Sequence, residues 1–338
     1  MKVIGYSGKL QLQHPNAFVT FEMEYPEPAN HDLLVEVSAV SVNPIDTKIR
    51  ARTDTPQHPP KILGWDAVGT VIATGPKVTR FKPGDRVYYA GDITRPGCNA
   101  SHQLVDERIT GHCPTSLSNS EAAALPLTTI TAWEALFDRL KINRDNDRNK
   151  TLLIIGAAGG VGSMAIQLAR EIGGLNVIAT ASRPQSRQWC FNMGANSVVD
   201  HRSDLVSEFR QKRLPAPDYI LCCNSPDQHF SAMAELIAPQ GMICSIVDFN
   251  QTPDMNVLKP KSVGFVWEFM FTRPMQQTKD ISAQGELLDR VAALVDRGTL
   301  KTTLRQNLGA MSPASLCEAH RLIEQGSTIG KIVLEGIQ

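Results

Sequence analysis

Excess charge of either sign is missing from this 338-residue chain: 34 Lys and Arg stand against 34 Asp and Glu. No global field therefore steers it toward nucleic acid or an anionic membrane. Long apolar runs are missing too, since none approaches the roughly 20 residues of a bilayer span. No basic stretch followed by an apolar run and a small-residue cleavage site precedes the strand-like Lys2-Val3-Ile4-Gly5-Tyr6, so a cytoplasmic protein is expected. The seven cysteines (Cys98, Cys113, Cys190, Cys222, Cys223, Cys244 and Cys317) are odd in number and irregularly spaced, and no Cys-x-x-Cys occurs. That pattern argues against a disulfide framework and leaves reduced thiols as the default. Cys222 and Cys223 are adjacent at the end of an apolar run; they read as small buried hydrophobes, with a vicinal redox switch as the alternative. Internal repeats and low-complexity segments are absent.

What is present is a soluble globular composition, 42% hydrophobic and 20% charged, on a chain long enough for two domains. Residues 1–122 are β-rich, with short runs such as Leu33 to Val40 and Gly69 to Ala73 broken by Pro83-Gly84-Asp85 and Pro96-Gly97. This texture predicts a small irregular barrel or sandwich. Residues 123–265 change rhythm. Thr151-Leu152-Leu153-Ile154-Ile155 is continuously apolar, as a parallel strand buried on both faces must be. Helix and strand signals then alternate: a helix over 162–172, strands at 176–180, 197–199, 219–222 and 242–247, and a helix around 186–193. The alternation predicts a doubly wound parallel α/β sheet. Residues 266–338 hold the aromatic Trp267-Glu268-Phe269-Met270-Phe271, an amphipathic helix through Leu287 to Val295, and a closing Lys331-Ile332-Val333-Leu334 strand. Their return to β texture predicts that they complete the first domain.

The most informative feature is the turn Gly156-Ala157-Ala158-Gly159-Gly160-Val161-Gly162, between strand 151–155 and the helix that follows. Glycines at 159 and 162 allow close approach of a pyrophosphate and tight helix–strand packing, and the helix N-terminus supplies free N–H donors. Ala157 replaces the first glycine of the usual G-x-G-x-x-G. Past the next strand stand Ser182 and Arg183, with Arg187 nearby, and no acid lies between Glu171 and Asp200. An acid there would bind a ribose 2′-hydroxyl, whereas guanidinium groups suit a 2′-phosphate. NADPH is therefore the expected cofactor, although a lone arginine is usually a solvated surface charge.

Several ordered motifs accompany the turn: Ser41-Val42-Asn43-Pro44-Ile45-Asp46-Thr47-Lys48-Ile49-Arg50, Leu63-Gly64-Trp65-Asp66-Ala67-Val68-Gly69, Phe81-Lys82-Pro83-Gly84-Asp85-Arg86-Val87-Tyr88, Ala124 to Trp133, and Gly330-Lys331-Ile332-Val333-Leu334. Together they resemble the medium-chain dehydrogenase/reductase superfamily, in its quinone oxidoreductase-like branch, among zinc-type alcohol dehydrogenase-like proteins. The resemblance implies a GroES-like catalytic domain made from both chain ends and a Rossmann domain between them, commonly in a homodimer. It implies Asn43 and Thr131 near the nicotinamide, and Gly159, Gly160 and Val161 on the pyrophosphate. Ser182, Arg183 and His201 would meet the adenosine phosphate, although relatives often carry Tyr where His201 stands. Asn224, Val247 and Phe249 would line the nicotinamide ribose and ring, and Lys331 would close the site.

The same resemblance raises zinc. Zinc-dependent relatives place a Cys ligand at the position of Asn43 and the His of a Gly-His-Glu motif at Trp65; neither is present. The four closely spaced cysteines of a structural zinc lobe have no counterpart. Cys98, His102, His112 and Cys113 match no standard ligand spacing. No metal is expected. Without a Lewis acid, hydride transfer to an activated C=C is easier than to a ketone, because the acceptor's carbonyl delocalises the enolate charge. The expected reaction is NADPH-dependent reduction of a quinone, enone or related small molecule.

Asn43, Tyr88 and Tyr89 are the candidate catalytic residues, the two tyrosines as proton donors, with half-buried strand positions as their competing reading. Lys48 stands where relatives often have Tyr, and Asp46 is read as holding Arg50 or the loop. Trp65, Trp267, Phe269 and Phe271 are candidate walls of a substrate pocket; for the last three, core or dimer contact is equally good. A short-chain dehydrogenase is opposed by the lack of any Tyr-x-x-x-Lys. A zinc-dependent alcohol dehydrogenase is opposed by Asn43 and Trp65. A non-catalytic NADPH-binding sensor would carry the same cofactor motifs.

Overall fold

The computed structural model describes residues 1–338 apart from Lys9, Asp54 and Gln338. It divides into two compact units, Met1–Leu127 with Phe271–Gln338, and Thr128–Met270. In chain order the first unit opens with β1 (Lys2–Tyr6), β2 (Phe18–Glu22), β3 (Asp32–Val42), β4 (Lys61–Ile62), β5 (Ala67–Thr74), β6 (Arg86–Tyr89), β7 (His102–Asp106) and β8 (Thr110–His112). The second unit holds β9 (Thr151–Ile155), β10 (Asn176–Thr180), β11 (Ser197–Val199), β12 (Tyr219–Cys222), β13 (Met242–Ser245) and β14 (Gly264–Trp267). The chain then returns to the first unit with β15 (Leu304–Ala310) and β16 (Lys331–Glu335).

In the first unit a seven-stranded sheet runs β15-β16-β3-β5-β6-β8, with β7 also paired to β3, beside a three-stranded β2-β1-β4 sheet. The eleven-residue β3 is the axis of this unit, because its Leu, Val and Ala side chains are buried along most of its length. Register then decides what meets at its far end. Antiparallel pairing sets Ile332 of β16 opposite Val42, and Ala67 of β5 opposite Val40. Asn43, Asp66 and Lys331 each lie one step beyond those pairs, so three distant segments converge at one end of the sheet. Helix Ala283–Asp296 covers the neighbouring strands with Leu287, Leu288, Val291 and Leu294.

The second unit is a parallel sheet ordered β11-β10-β9-β12-β13-β14, with connecting helices Gly160–Glu171, Pro184–Asn192, Leu205–Gln211 and Pro226–Leu236. This is the doubly wound order, reversing direction between β9 and β12. All five residues of β9 are buried, and Leu153 and Ile155 share one core with Ile178, Ile220, Phe230 and Ile243. Hydrophobic burial of this kind is worth roughly 1.5–3 kcal/mol for each large aliphatic side chain.

The units divide near 127 and 270 rather than at 122 and 265. The second difference has a clear cause. β14 pairs in parallel with β13 from Gly264↔Met242 to Ser245↔Trp267, which draws Trp267 into the second unit's sheet. No helix among the described residues is long and apolar enough to cross a membrane.

Candidate functional site

In the second unit the candidate residues stand at the carboxyl ends of consecutive strands. β9 leads into Gly156, whose φ of 76° lies in the left-handed region. Its N–H donates to Thr180 Oγ1 at 3.0 Å, tying the turn to β10. Gly159 caps helix Gly160–Glu171, so Gly160 and Val161 form its first turn with their N–H groups pointing out of the helix. A Cβ at Gly162 would sit 2.5 Å from Ala157 Cα and 2.6 Å from its carbonyl oxygen, so this position tolerates only glycine. A Cβ at Gly159 would meet nothing nearer than 3.5 Å, which leaves open space in front of the helix. Trp189 Nε1 donates to Ser163 Oγ at 2.7 Å and ties the next helix to this one.

Around the turn, Ser182 and the exposed Arg183 follow β10, and His201 follows β11. His201 is half-buried, with a buried, unpartnered Nδ1, and desolvation lowers its pKa. Its ring lies 6.3 Å from that of His229. Arg202, which the sequence reading did not single out, donates from Nη2 to the Ser182 carbonyl at 2.9 Å and pairs with Asp200 at 3.0 Å. A second basic residue beside a strand-end histidine was the available signal. Arg187, by contrast, spends its guanidinium on the Ala181 and Val198 carbonyls, each at 3.2 Å. Exposed Asn224 follows β12 and lies over Gly156, where a glycine Cβ would come within 3.2 Å of its own Cβ. Val247 follows β13, its carbonyl accepting from Ser245 Oγ at 2.9 Å. Thr131 is buried in helix Pro126–Trp133.

In the first unit Asn43, Asp66 and Lys331 form one buried polar cluster. Asp66 is fully buried; its Oδ2 accepts from Ser41 Oγ at 2.5 Å, Asn43 Nδ2 at 3.2 Å and Lys331 Nζ at 3.1 Å. Its Oδ1 accepts from the Leu127 N–H at 3.1 Å. Lys331 also donates to the Val42 carbonyl at 3.2 Å and to Asn43 Oδ1. Asp46 Oδ2 accepts from the Asn43 N–H at 2.6 Å, while its Oδ1 is buried without a partner. Burial pushes the Asp46 carboxyl up to about 7, against the opposing pull of its Asn43 bond and the Lys331 charge. Burial likewise raises Asp66 and lowers Lys331.

Several expected roles change on this geometry. Tyr88 is fully buried, and its hydroxyl donates to the Leu288 carbonyl at 2.6 Å beneath helix Ala283–Asp296. Tyr89 is equally buried with an unpartnered hydroxyl, and desolvation raises both phenols well above their ordinary pKa. Neither is placed to hand a proton to a substrate. Trp65 is a core residue, its Nε1 donating to the Asp92 carbonyl at 3.0 Å, and not a pocket wall. Of the two readings of Asp46, the loop is the one in place: its Oδ2 accepts from the Asn43 N–H, while Arg50 pairs with Glu324. Phe249 packs edge-on against Phe230 and Trp267, with ring centroids 5.5 and 5.8 Å away. Phe271 is buried, whereas Trp267 and Phe269 remain 49% and 43% exposed on and just past the edge strand β14.

These two folds, a β-rich unit assembled from both chain ends and a doubly wound unit with a glycine turn after its first strand, define an oxidoreductase architecture. The alcohol dehydrogenase GroES-like domain family matches residues 29–129, and the zinc-binding dehydrogenase family matches residues 193–334. A zinc-type alcohol dehydrogenase-like protein of Staphylococcus aureus is 46% identical over 99% of both chains. A mitochondrial NAD(P)H oxidoreductase of Danio rerio is 30% identical over 90% of this chain and 83% of its own. Among solved structures, a Rhizobium etli protein described as a zinc-dependent alcohol dehydrogenase is 48% identical, with a TM-score of 0.95 over 100% of this chain and 98% of that one. Escherichia coli quinone oxidoreductase complexed with NADPH shares the fold, at 23% identity and a TM-score of 0.83 over 99% and 100%. The chain belongs to the medium-chain dehydrogenase/reductase superfamily and is an oxidoreductase of that type.

Zinc enters through those family descriptions, and the residues in place do not fit it. Catalytic zinc is held by thiolate, imidazole and carboxylate ligands around an open position. Here an amide stands at Asn43, an indole bonded elsewhere at Trp65, and an ammonium lies among the oxygens. Among the described residues no three His, Cys, Asp or Glu side chains converge into a group able to hold a metal ion.

Proposed function

We propose that this protein reduces a quinone, an enone or another activated C=C of a small molecule by hydride transfer from NADPH. The observation that carries this reading is the donor set around Asn43. A ketone or alcohol oxygen needs an electrophile beside it, and the polar atoms of Asn43 and Lys331 are engaged by protein groups. An α,β-unsaturated acceptor carries its own electron sink, so orientation and an apolar environment suffice.

When bound, the dinucleotide supplies the hydride from C4 of its nicotinamide. The turn 156–162 offers the first N–H groups of helix Gly160–Glu171 to the pyrophosphate. Arg183, with Arg202 and Ser182, offers hydrogen-bond donors to a 2′-phosphate. With the dinucleotide in place, hydride would go to the acceptor's β-carbon, the C=C electron pair would shift onto the carbonyl oxygen, and a proton from water would complete the α-carbon. With Tyr88 and Tyr89 buried and bonded or enclosed, water is the proton donor proposed here. His201, Asn224, Val247 and Thr131 belong to the same proposed cofactor contact. We also propose a homodimer through β14, whose free edge carries the exposed Trp267, with Phe269 just beyond it. Sedimentation of Trp267→Asp as a monomer, beside a dimeric parent, is the expected result.

The reaction is tested by following NADPH oxidation with 1,4-naphthoquinone, small enones, and the matching saturated ketones. Turnover confined to the conjugated acceptors is expected. Turnover only with saturated ketones would sink the reading, and tight NADPH binding without turnover on any acceptor would favour a sensor.

A further inference from the structure

We infer that Lys331 is the resident cation of the buried cluster, standing in for a metal ion and positioning Asn43 and Asp66. A lysine at the first residue of a closing strand is ordinarily a solvated surface charge. This one is 3% exposed, and its ammonium contacts the Val42 carbonyl, Asn43 Oδ1 and Asp66 Oδ2, the first two in one segment of the chain and the third in another. The three acceptors match the three N–H bonds of an ammonium, so nothing in it is left for solvent.

The surroundings explain why a cation is required there. Two buried carboxyl groups, Asp46 and Asp66, lie close enough for both to feel the Lys331 charge. Asp46 Oδ1, Asp66 Oδ2 and Asn43 Oδ1 are oxygen donors of the kind that hold a hard divalent ion. A tethered ammonium answers the same electrostatic need without an open coordination position. Its loss leaves Asp66 buried and uncompensated, which is strongly unfavourable. It also removes the group that orients the Asn43 amide, whose Nδ2 otherwise points at Ser41, Trp65 and Asp66. The cluster has this arrangement whether the substrate is an enone or not.

The test is thermal unfolding of Lys331→Ala and Lys331→Ala/Asp66→Asn, beside the parent, with and without manganese(II) or cobalt(II) chloride. Lys331→Ala is expected to melt roughly 5–15 °C lower. Either metal ion should then restore a large part of that loss, while shifting neither the parent nor the double variant. A role in packing alone would not produce metal rescue. If Lys331→Ala does not fold unaided, refolding yield with and without the metal ion is read by the same criterion. An unchanged melting temperature in Lys331→Ala, or a loss that neither ion reduces, overturns the inference.

Discussion

Lowering the pH from about 8 to about 5 should destabilise the first unit through one side chain, His320. This residue lies in helix Pro313–Glu324, fully buried, with its ring 5.1 Å from that of Phe18 and neither nitrogen hydrogen-bonded. Burial, reinforced by the Arg50 charge, pushes its pKa down from 6.5 to about 3. The unfolded chain takes up a proton near 6.5 and the folded one only near 3. The stabilising contribution is therefore complete above 6.5 and is lost as the pH falls toward 3. At about 1.4 kcal/mol per pH unit, the loss at pH 5 is about 2 kcal/mol. For a unit of this size that corresponds to a fall in melting temperature of roughly 4–8 °C. His320→Leu keeps an apolar group against Phe18 and has nothing to protonate. Thermal melts of parent and variant across this range should show the variant losing that much less. Parallel pH dependence in the two proteins would refute the argument.

Gly162→Ala forces a methyl into the Ala157 backbone at 2.5 Å, so dinucleotide affinity should fall roughly 10–100-fold in a fluorescence titration; unchanged affinity would show that the turn can move freely. Arg183→Ala should weaken NADPH roughly 10–100-fold while leaving NADH nearly unchanged, because a charge-assisted hydrogen bond to phosphate is lost. An equal change in both affinities contradicts a 2′-phosphate contact. Glu268 is buried beside Glu134 and Arg139, and burial raises its carboxyl from 4.5 to about 9. The folded form thus keeps a proton that the unfolded form releases, and stability from this group falls as the pH rises from about 4.5 to 9. Glu268→Gln should flatten that part of the melting-temperature profile, and a profile parallel to the parent's would argue against it.

Local pattern carried much of this molecule. β9, β10, β11 and β12 lie where their apolar runs do, because a strand buried on both faces must be apolar at every position. The glycine turn was legible for the same reason: the left-handed φ at Gly156 and the close approach at Gly162 are demands of backbone sterics at single residues.

Side-chain environment in the first unit was decided by pairing across long separations. Tyr88 and Trp65 have the pattern of ordinary strand and loop aromatics, and only the covering helix Ala283–Asp296 and the Asp92 carbonyl make them core residues. Trp267 sits in a sheet because β13 offered a parallel partner, which no local feature of 264–267 announces. Residue pattern along the chain was enough for the two fold types, the glycine turn, and the lack of zinc-type ligands at Asn43 and Trp65. What stands among the remaining polar groups follows from long-range pairing, since register between β3 and β16 brings Lys331 to Asn43 across 288 residues. A buried charge is settled by the partners that surround it, and those partners were not neighbours in the chain.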